Sequence, residues 1–229
     1  MKKGIKTDIG KIASKIGVTP LERPLKVSKK DSQLVIGIPK ASSFQERRVS
    51  LTPESVSLLV ARGNEVFMQS EAGLGSNYPD ADYTEAGAQI VYNVEDLFKK
   101  SRIIVMVTPP TEEEINVMSP GQIIMSPLHL PKLKDTTVKK LMSKKVTCIA
   151  YEYLKDGFDT YPMVRTMGEI AGNAALLIAS EQLSNIHGGN GILLGGVAGV
   201  PPTKVIILGA GVVGEYAART ALGMGAIVK

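Results

Sequence analysis

Six short apolar runs, each bounded by turn or helix-start residues, dominate the chain from residue 34 to residue 151. They are LVIGIP (34–39), EVFMQ (65–69), AQIVY (88–92), RIIVMV (102–107), QIIMS (122–126) and VTCIAY (146–151). Runs of this length without strict polar alternation belong to strands covered on both faces. Helical signals lie between several of them. Thr52-Pro53-Glu54 sets a capping residue before a proline at the first helical position; apolar Val56, Leu59 and Val60 follow, and Gly63 ends the pattern. Thr111 to Glu114 reads as a capping box with acidic side chains at the positive end of a helix, and so as a cap in preference to a metal site. The Lys-rich stretch 132–145 predicts an amphipathic helix with one wet face. Strand and helix in alternation predict an α/β fold, a doubly wound parallel sheet of flavodoxin or Rossmann type with right-handed crossovers. Ligands of such sheets sit outside the carboxyl ends of the strands.

A second pattern begins near residue 167. MGEIAGNAALLIASEQL (167–183) predicts a connecting helix, and the glycine-rich stretch 187–202 predicts a loop able to approach a ligand closely. Next comes Gly209-x-Gly211-x-x-Gly214, led in by Val205 to Leu208 as a strand and led out by the helical run from Val213 to Leu222. A glycine motif alone is weak, but between strand and helix it is the signature of a dinucleotide pyrophosphate site, with Val212 and Val213 opening the helix whose amides face the anion. The acidic residue that selects the adenosine ribose is expected about 20 residues further on, where the chain stops at Lys229. The expected organisation is therefore an N-terminal extension (1–33), a substrate domain (34–166), and a linker helix with the start of a Rossmann dinucleotide-binding domain (167–229), the whole a fragment of a longer enzyme.

Three groups follow strands of the first sheet and so are placed by topology at its carboxyl edge. Arg47 and Arg48 follow the first run, Thr108-Pro109-Pro110 the fourth, and His129 the fifth. An imidazole there can exchange protons near neutral pH, and a guanidinium can grip a carboxylate through its two-pronged donors. By pattern alone, His129 between Leu128 and Leu130 is more often a packing residue, and paired arginines before a helix are more often surface charge. His187 is expected to be exposed, and Cys148 to be a small core residue.

Composition excludes some other partners. The chain of 229 residues carries a net charge of +5, and its densest basic part, eight Lys and one Arg in the first thirty residues, has almost no interleaved aromatics. That favours a solvated arm over a nucleic-acid site. A single cysteine, no signal-peptide core and no apolar run near the ~18 residues that span a bilayer predict a cytoplasmic chain without a membrane partner.

Together these residues resemble the alanine dehydrogenases and the related first domain of nicotinamide nucleotide transhydrogenase. The resemblance spans residues 34 to 229 and rests on GIPK (37–40), ERRVSLTPESV (46–56), EAGLGS (71–76), AGAQIV (86–91), PGQIIMSPLHL (120–130), VTCIAYE (146–152), MGEIAGNAA (167–175), GILLGGVAGVPPTKVIILGAGVVG (191–214) and ALGMGAIV (221–228). It implies NAD-dependent oxidative deamination of L-alanine to pyruvate and ammonia, with NAD as cofactor and commonly a hexamer. Arg48 takes the place of the family's carboxylate-binding arginine and His129 that of its catalytic acid and base. The transhydrogenase domain lacks that histidine, so PLHLP favours the dehydrogenase. Two positions depart from the pattern: Thr108 stands where a substrate-binding lysine is expected, and Gly168 where a serine is expected near the cofactor. The alternative implied by these departures is a transhydrogenase α-subunit-like or non-catalytic NAD-binding relative.

Overall fold

The computed structural model describes residues 33–229. The basic arm expected over residues 1–33 lies, but for Gln33, outside the described residues.

All six apolar runs form strands: β1 Val35–Ile38, β2 Glu65–Gln69, β3 Gln89–Val91, β4 Ile103–Val105, β5 Ile123–Ser126 and β6 Thr147–Ala150. They make one sheet in the order β3-β2-β1-β4-β5-β6, with every neighbouring pair parallel. Of the two orders open to a doubly wound sheet, this is the Rossmann order. Five helices return the chain between the strands: α1 Pro53–Ala61, α2 Asp80–Glu85, α3 Val94–Lys100, α4 Glu112–Val117 and α5 Asp135–Ser143.

Successive strand side chains point to opposite faces, and the sheet therefore has two cores. Ile36, Ile38, Val66 and Met68 meet Val56 of α1 and Tyr83 of α2 on one face. On the other, Phe67, Ile104 and Ile124 meet Leu97 and Phe98 of α3, Ile115 of α4 and Leu141 of α5. Each such burial stabilises the fold by about 1.5–3 kcal/mol. Capping begins two of these helices as expected. Thr52 Oγ1 accepts the Ser55 N–H at 3.4 Å, and Thr111 and Glu114 exchange both bonds of a capping box. Helix α5 buries only Thr137 and Leu141 against the sheet and keeps the expected wet face.

The chain runs outward from β1 to β3 and then crosses back to β4 beside β1. Connections leaving the carboxyl ends of β1 and β4 thus diverge to opposite faces, and a crevice opens between them.

Helix α6 spans Pro162–Leu183. It starts before Met167, because Pro162 takes the first helical position with its φ already set, and so runs through the expected boundary at 166/167. The strand expected over Val205 to Leu208 is also corrected: β7 is Lys204–Val205, paired in parallel with β8, Ile227–Val228. Between them lies α7, Val212–Gly223. A third core joins Leu176 of α6 to Leu194, Ala217, Ala221 and Ala226. The two helices approach closely at Gly172, where a Cβ would stand 2.5 Å from the Val213 carbonyl oxygen. No helix among the described residues is long and apolar enough to cross a membrane.

Candidate active site

The loop after β1 carries Arg48 and is fixed from several sides. Gly75 packs against the Arg47 carbonyl so closely that a Cβ there would stand 2.6 Å from its oxygen, and the Ser76 hydroxyl donates to that same oxygen at 2.8 Å. Ser50 Oγ donates to the Val105 carbonyl at the end of β4, at 2.9 Å, and the buried Tyr83 hydroxyl donates to Leu51 at 2.8 Å. Within this frame Glu46 grips the Arg48 guanidinium on one side, accepting from Nε at 2.8 Å and from an Nη at 2.6 Å. The hydrogen bonds that Arg48 donates hold the Glu46 carboxyl below its usual range, against a smaller opposing effect of burial. The other edge of the guanidinium is free for a ligand, its remaining Nη meeting only Met167 Sδ at 3.7 Å. Glu46 therefore orients Arg48 without exhausting its five donors.

His129 follows β5 in the left-handed region, at φ 48° and ψ 48°, a conformation uncommon outside glycine and costly by about 1–3 kcal/mol. Glu152, just past β6, holds it there: one carboxylate oxygen accepts the N–H groups of both Leu128 and His129 at 2.9 Å. The second carboxylate oxygen is buried without a hydrogen-bond partner. Beside Glu152, the Tyr151 hydroxyl donates to the Met106 carbonyl at 2.9 Å. Burial pushes Tyr151 up to about 12, against a smaller opposing pull from Arg48.

Arg48 and His129 line one cavity of about 650 Å³ at the carboxyl edge of the sheet, together with Tyr151, Glu152 and the first turns of α6. Arg47, expected there too, lines a separate cavity of about 190 Å³ with Lys40 and Glu71, because its carbonyl is pinned by Gly75 and Ser76. Thr108 is half-buried and lies outside the lining, to which its neighbour Val107 contributes. His187 is exposed beside Glu181, at 3.2 Å. Cys148 is partly buried in β6, where burial pushes its thiol up, away from nucleophilic use.

The glycine turn lines a second cavity, of about 660 Å³. Gly209 has φ 116°, open only to glycine, and a Cβ on Gly214 would collide with the Gly209 carbonyl. At Gly211 a Cβ would meet nothing, so that position faces open space where a phosphate could approach. Val212 and Val213 begin α7, and Arg165 of α6 adds a cation to the wall. This arrangement suits a dinucleotide pyrophosphate. Val164 lines both cavities, so the first turns of α6 form part of the wall of each. Among the described residues no cluster of His, Cys, Asp or Glu could hold a metal ion.

Glu46, Tyr151, Glu152 and Arg165 were missing from the sequence reading. Only Glu46 left a local signal, as an acid two residues from Arg48.

Comparison with known families gives this geometry a context. Residues 37–171 match the model of the alanine dehydrogenase/PNT N-terminal domain, and residues 175–229 that of the C-terminal domain. The chain belongs to the alanine dehydrogenase/PNT family. It is 40% identical over 195 residues to the alanine dehydrogenase of Methanococcus maripaludis, covering 85% of this chain and 52% of that protein. Identity is 42% over 195 residues to the alanine dehydrogenase of Staphylococcus saprophyticus, with the same coverage of 85% and 52%. Among solved structures, an L-alanine dehydrogenase superposes with a TM-score of 0.79 at 40% identity, covering 84% of this chain and 53% of that one. A transhydrogenase from Sinorhizobium meliloti gives 0.74 at 28% identity, covering 85% and 57%. The chain spans about half the length of the curated relatives it matches. The chain thus carries the six-stranded parallel sheet of the family's N-terminal domain, followed by the start of its C-terminal domain.

Proposed function

We propose that this chain supplies the substrate site and the pyrophosphate turn of an NAD-dependent oxidative deamination of L-alanine to pyruvate and ammonia, as a cytoplasmic homo-oligomer, a hexamer by family resemblance. The observation that carries the reading is the shared cavity: a guanidinium with a free edge and an imidazole line one space, and Val164 of its wall also lines the cavity of the glycine turn. Arg48 binds the substrate carboxylate end-on through the donors Glu46 leaves free. His129 takes a proton from the water that attacks the substrate imine and returns one to the departing nitrogen. Gly209, Gly211 and Gly214, with Val212 and Val213, seat the pyrophosphate of NAD. When bound, the nicotinamide accepts the α-hydrogen of alanine with its electron pair.

The test is ammonia- and pyruvate-dependent oxidation of NADH by the chain and by any longer product of its reading frame. The 229-residue chain alone is expected to show little turnover, since it spans about half the length of its curated relatives. In an active longer product, His129→Ala is expected to lower the rate by about 10²–10⁴-fold; retention of most of the rate contradicts the assigned role.

One observation favours a second reading, a transhydrogenase α-subunit-like or non-catalytic NAD-binding relative: the lining of the substrate cavity includes no lysine, and Thr108 is outside it. In that case NAD binds and no amino acid turns over. Thr108→Lys separates the two, because a large gain in alanine turnover is expected only if the scaffold is competent and the ammonium is what it lacks.

A further inference from the structure

We infer that Arg165 of α6 grips the pyrophosphate oxygens at the glycine turn, supplying the counter-charge that the turn and the start of α7 lack. The inference rests on the pyrophosphate reading proposed above and adds to it the residue that neutralises the ligand.

Charge is the first argument. A pyrophosphate is at least doubly negative, whereas a helix N-terminus offers only about half a positive charge. Among the described residues lining the glycine-turn cavity, Arg165 alone is charged. The rest of that wall is glycine and apolar side chains, but for Thr160 and Tyr161, and the Thr160 hydroxyl is already committed to Asp156 at 2.6 Å.

Placement is the second. Gly168 stands three residues after Arg165, on the same face of α6. A Cβ there would come within 3.2 Å of Val212 Cγ1. The bare backbone at Gly168 thus lets α6 lie against the first turn of α7, and Arg165 reaches the cavity of the turn from that position.

The free donors are the third. Glu169, one helical turn further on, accepts from Arg165 Nε at 3.1 Å and lies outside the lining. Its bond orients the guanidinium and takes only Nε. The Tyr216 side chain of α7 also stands beside the guanidinium, but as a neutral partner it bonds more weakly than a phosphate oxygen. The Nη end can therefore present its paired donors to the ligand in the two-pronged geometry that suits a phosphate.

The experiment is isothermal titration of the 229-residue chain with NAD, ADP and adenosine, at about 0.02 M and about 0.5 M salt. It is repeated with Arg165→Ala, Arg165→Lys, Gly211→Ala and, as a control, Arg219→Ala. Arg219 is paired with Glu215 at 2.6 Å and lies outside the lining. Arg165→Ala removes only an exposed ion pair, which contributes little to stability, and is expected to fold normally. It is expected to weaken NAD and ADP about tenfold at low salt and by a smaller factor at high salt, with adenosine unchanged. Arg165→Lys keeps the charge without the fork and is expected to recover part of the loss; Arg219→Ala is expected to bind as the unmodified chain does. If NAD binds, Gly211→Ala abolishes its binding and Arg165→Ala changes nothing, the inference is overturned and the pyrophosphate reading stands. It is also overturned if adenosine weakens as much as ADP, or if Arg219→Ala matches Arg165→Ala, since the effect then lies in the fold or in the net charge. If neither NAD nor ADP binds the unmodified chain, or if Gly211→Ala leaves both unaffected, the two readings fall together.

Discussion

At the scale of single residues, the site depends on one carboxylate holding an unfavourable backbone. Glu152 bonds two amides at once, and without it the left-handed turn at His129 has no restraint from β6. Glu152→Ala is expected to cost about 2 kcal/mol, since bonds to a charged acceptor are worth more than neutral ones; the shift of the urea midpoint measures it. His129→Asn separates structure from chemistry. Asparagine tolerates φ 48°, so stability is expected to change by no more than about 0.5 kcal/mol while proton exchange is lost. Two tyrosines, Tyr83 buried and Tyr151 half-buried, give a pH signature. Burial raises Tyr83 and Tyr151 to about 12. A pKa raised in the folded state favours the protonated fold below the unfolded value near 10, and that stability is lost as pH climbs from about 10 through 12. Titration of phenolate absorbance is expected to show two groups ionising near pH 12, one removed by Tyr83→Phe and the other by Tyr151→Phe.

At the scale of elements, the glycine turn makes two separable predictions. Gly211 is extended, at φ −81° and ψ −178°, with open space where its Cβ would be. Gly211→Ala is therefore expected to fold normally and lose nucleotide binding, because the methyl occupies the approach of the phosphate. Gly214→Ala drives a Cβ into the Gly209 carbonyl, and is expected to lower both the melting temperature and nucleotide affinity. Melting curves and saturation-transfer NMR with NAD distinguish them. The elements were also where the sequence was most legible. Each of the six runs became a strand, and Thr52 and Thr111 cap where they were expected to, since burial of β-branched residues and capping are local or periodic effects. The start of α6 was less legible, because the turn residues of 155–161 mask a helix that opens at Pro162. Strand β7 is shorter than its apolar run: its ladder with β8 covers Lys204 and Val205, and past them a single bond, from the Ile207 N–H to the Lys229 carbonyl at 3.0 Å, continues the pairing.

At the scale of the whole molecule, the order β3-β2-β1-β4-β5-β6 converts separate loops into one site. It sets the loop after β1, carrying Arg48, the loop after β5, carrying His129, and Glu152 past β6 around one cavity. Position at the carboxyl edge was legible, because topology alone dictates it. What each side chain touches was not. Glu152 lies 23 residues from His129, and Met167 lies 119 from Arg48, distances over which a single sequence carries no pairing signal. The same limit explains Arg47: nothing local says that Gly75 and Ser76 pin its carbonyl and leave only its neighbour facing the larger cavity.

The central claim is that one cavity brings the Arg48 guanidinium and the His129 imidazole to the same 2-oxo acid. Two-dimensional NMR of the chain titrated with pyruvate tests it most directly, since there are only two histidines to assign. Pyruvate is expected to shift the imidazole signals of His129 and the guanidinium of Arg48, to leave His187 unmoved, and to do none of this in Arg48→Ala. If His129 stays still while pyruvate binds, or shifts equally without Arg48, the two side chains do not share a substrate.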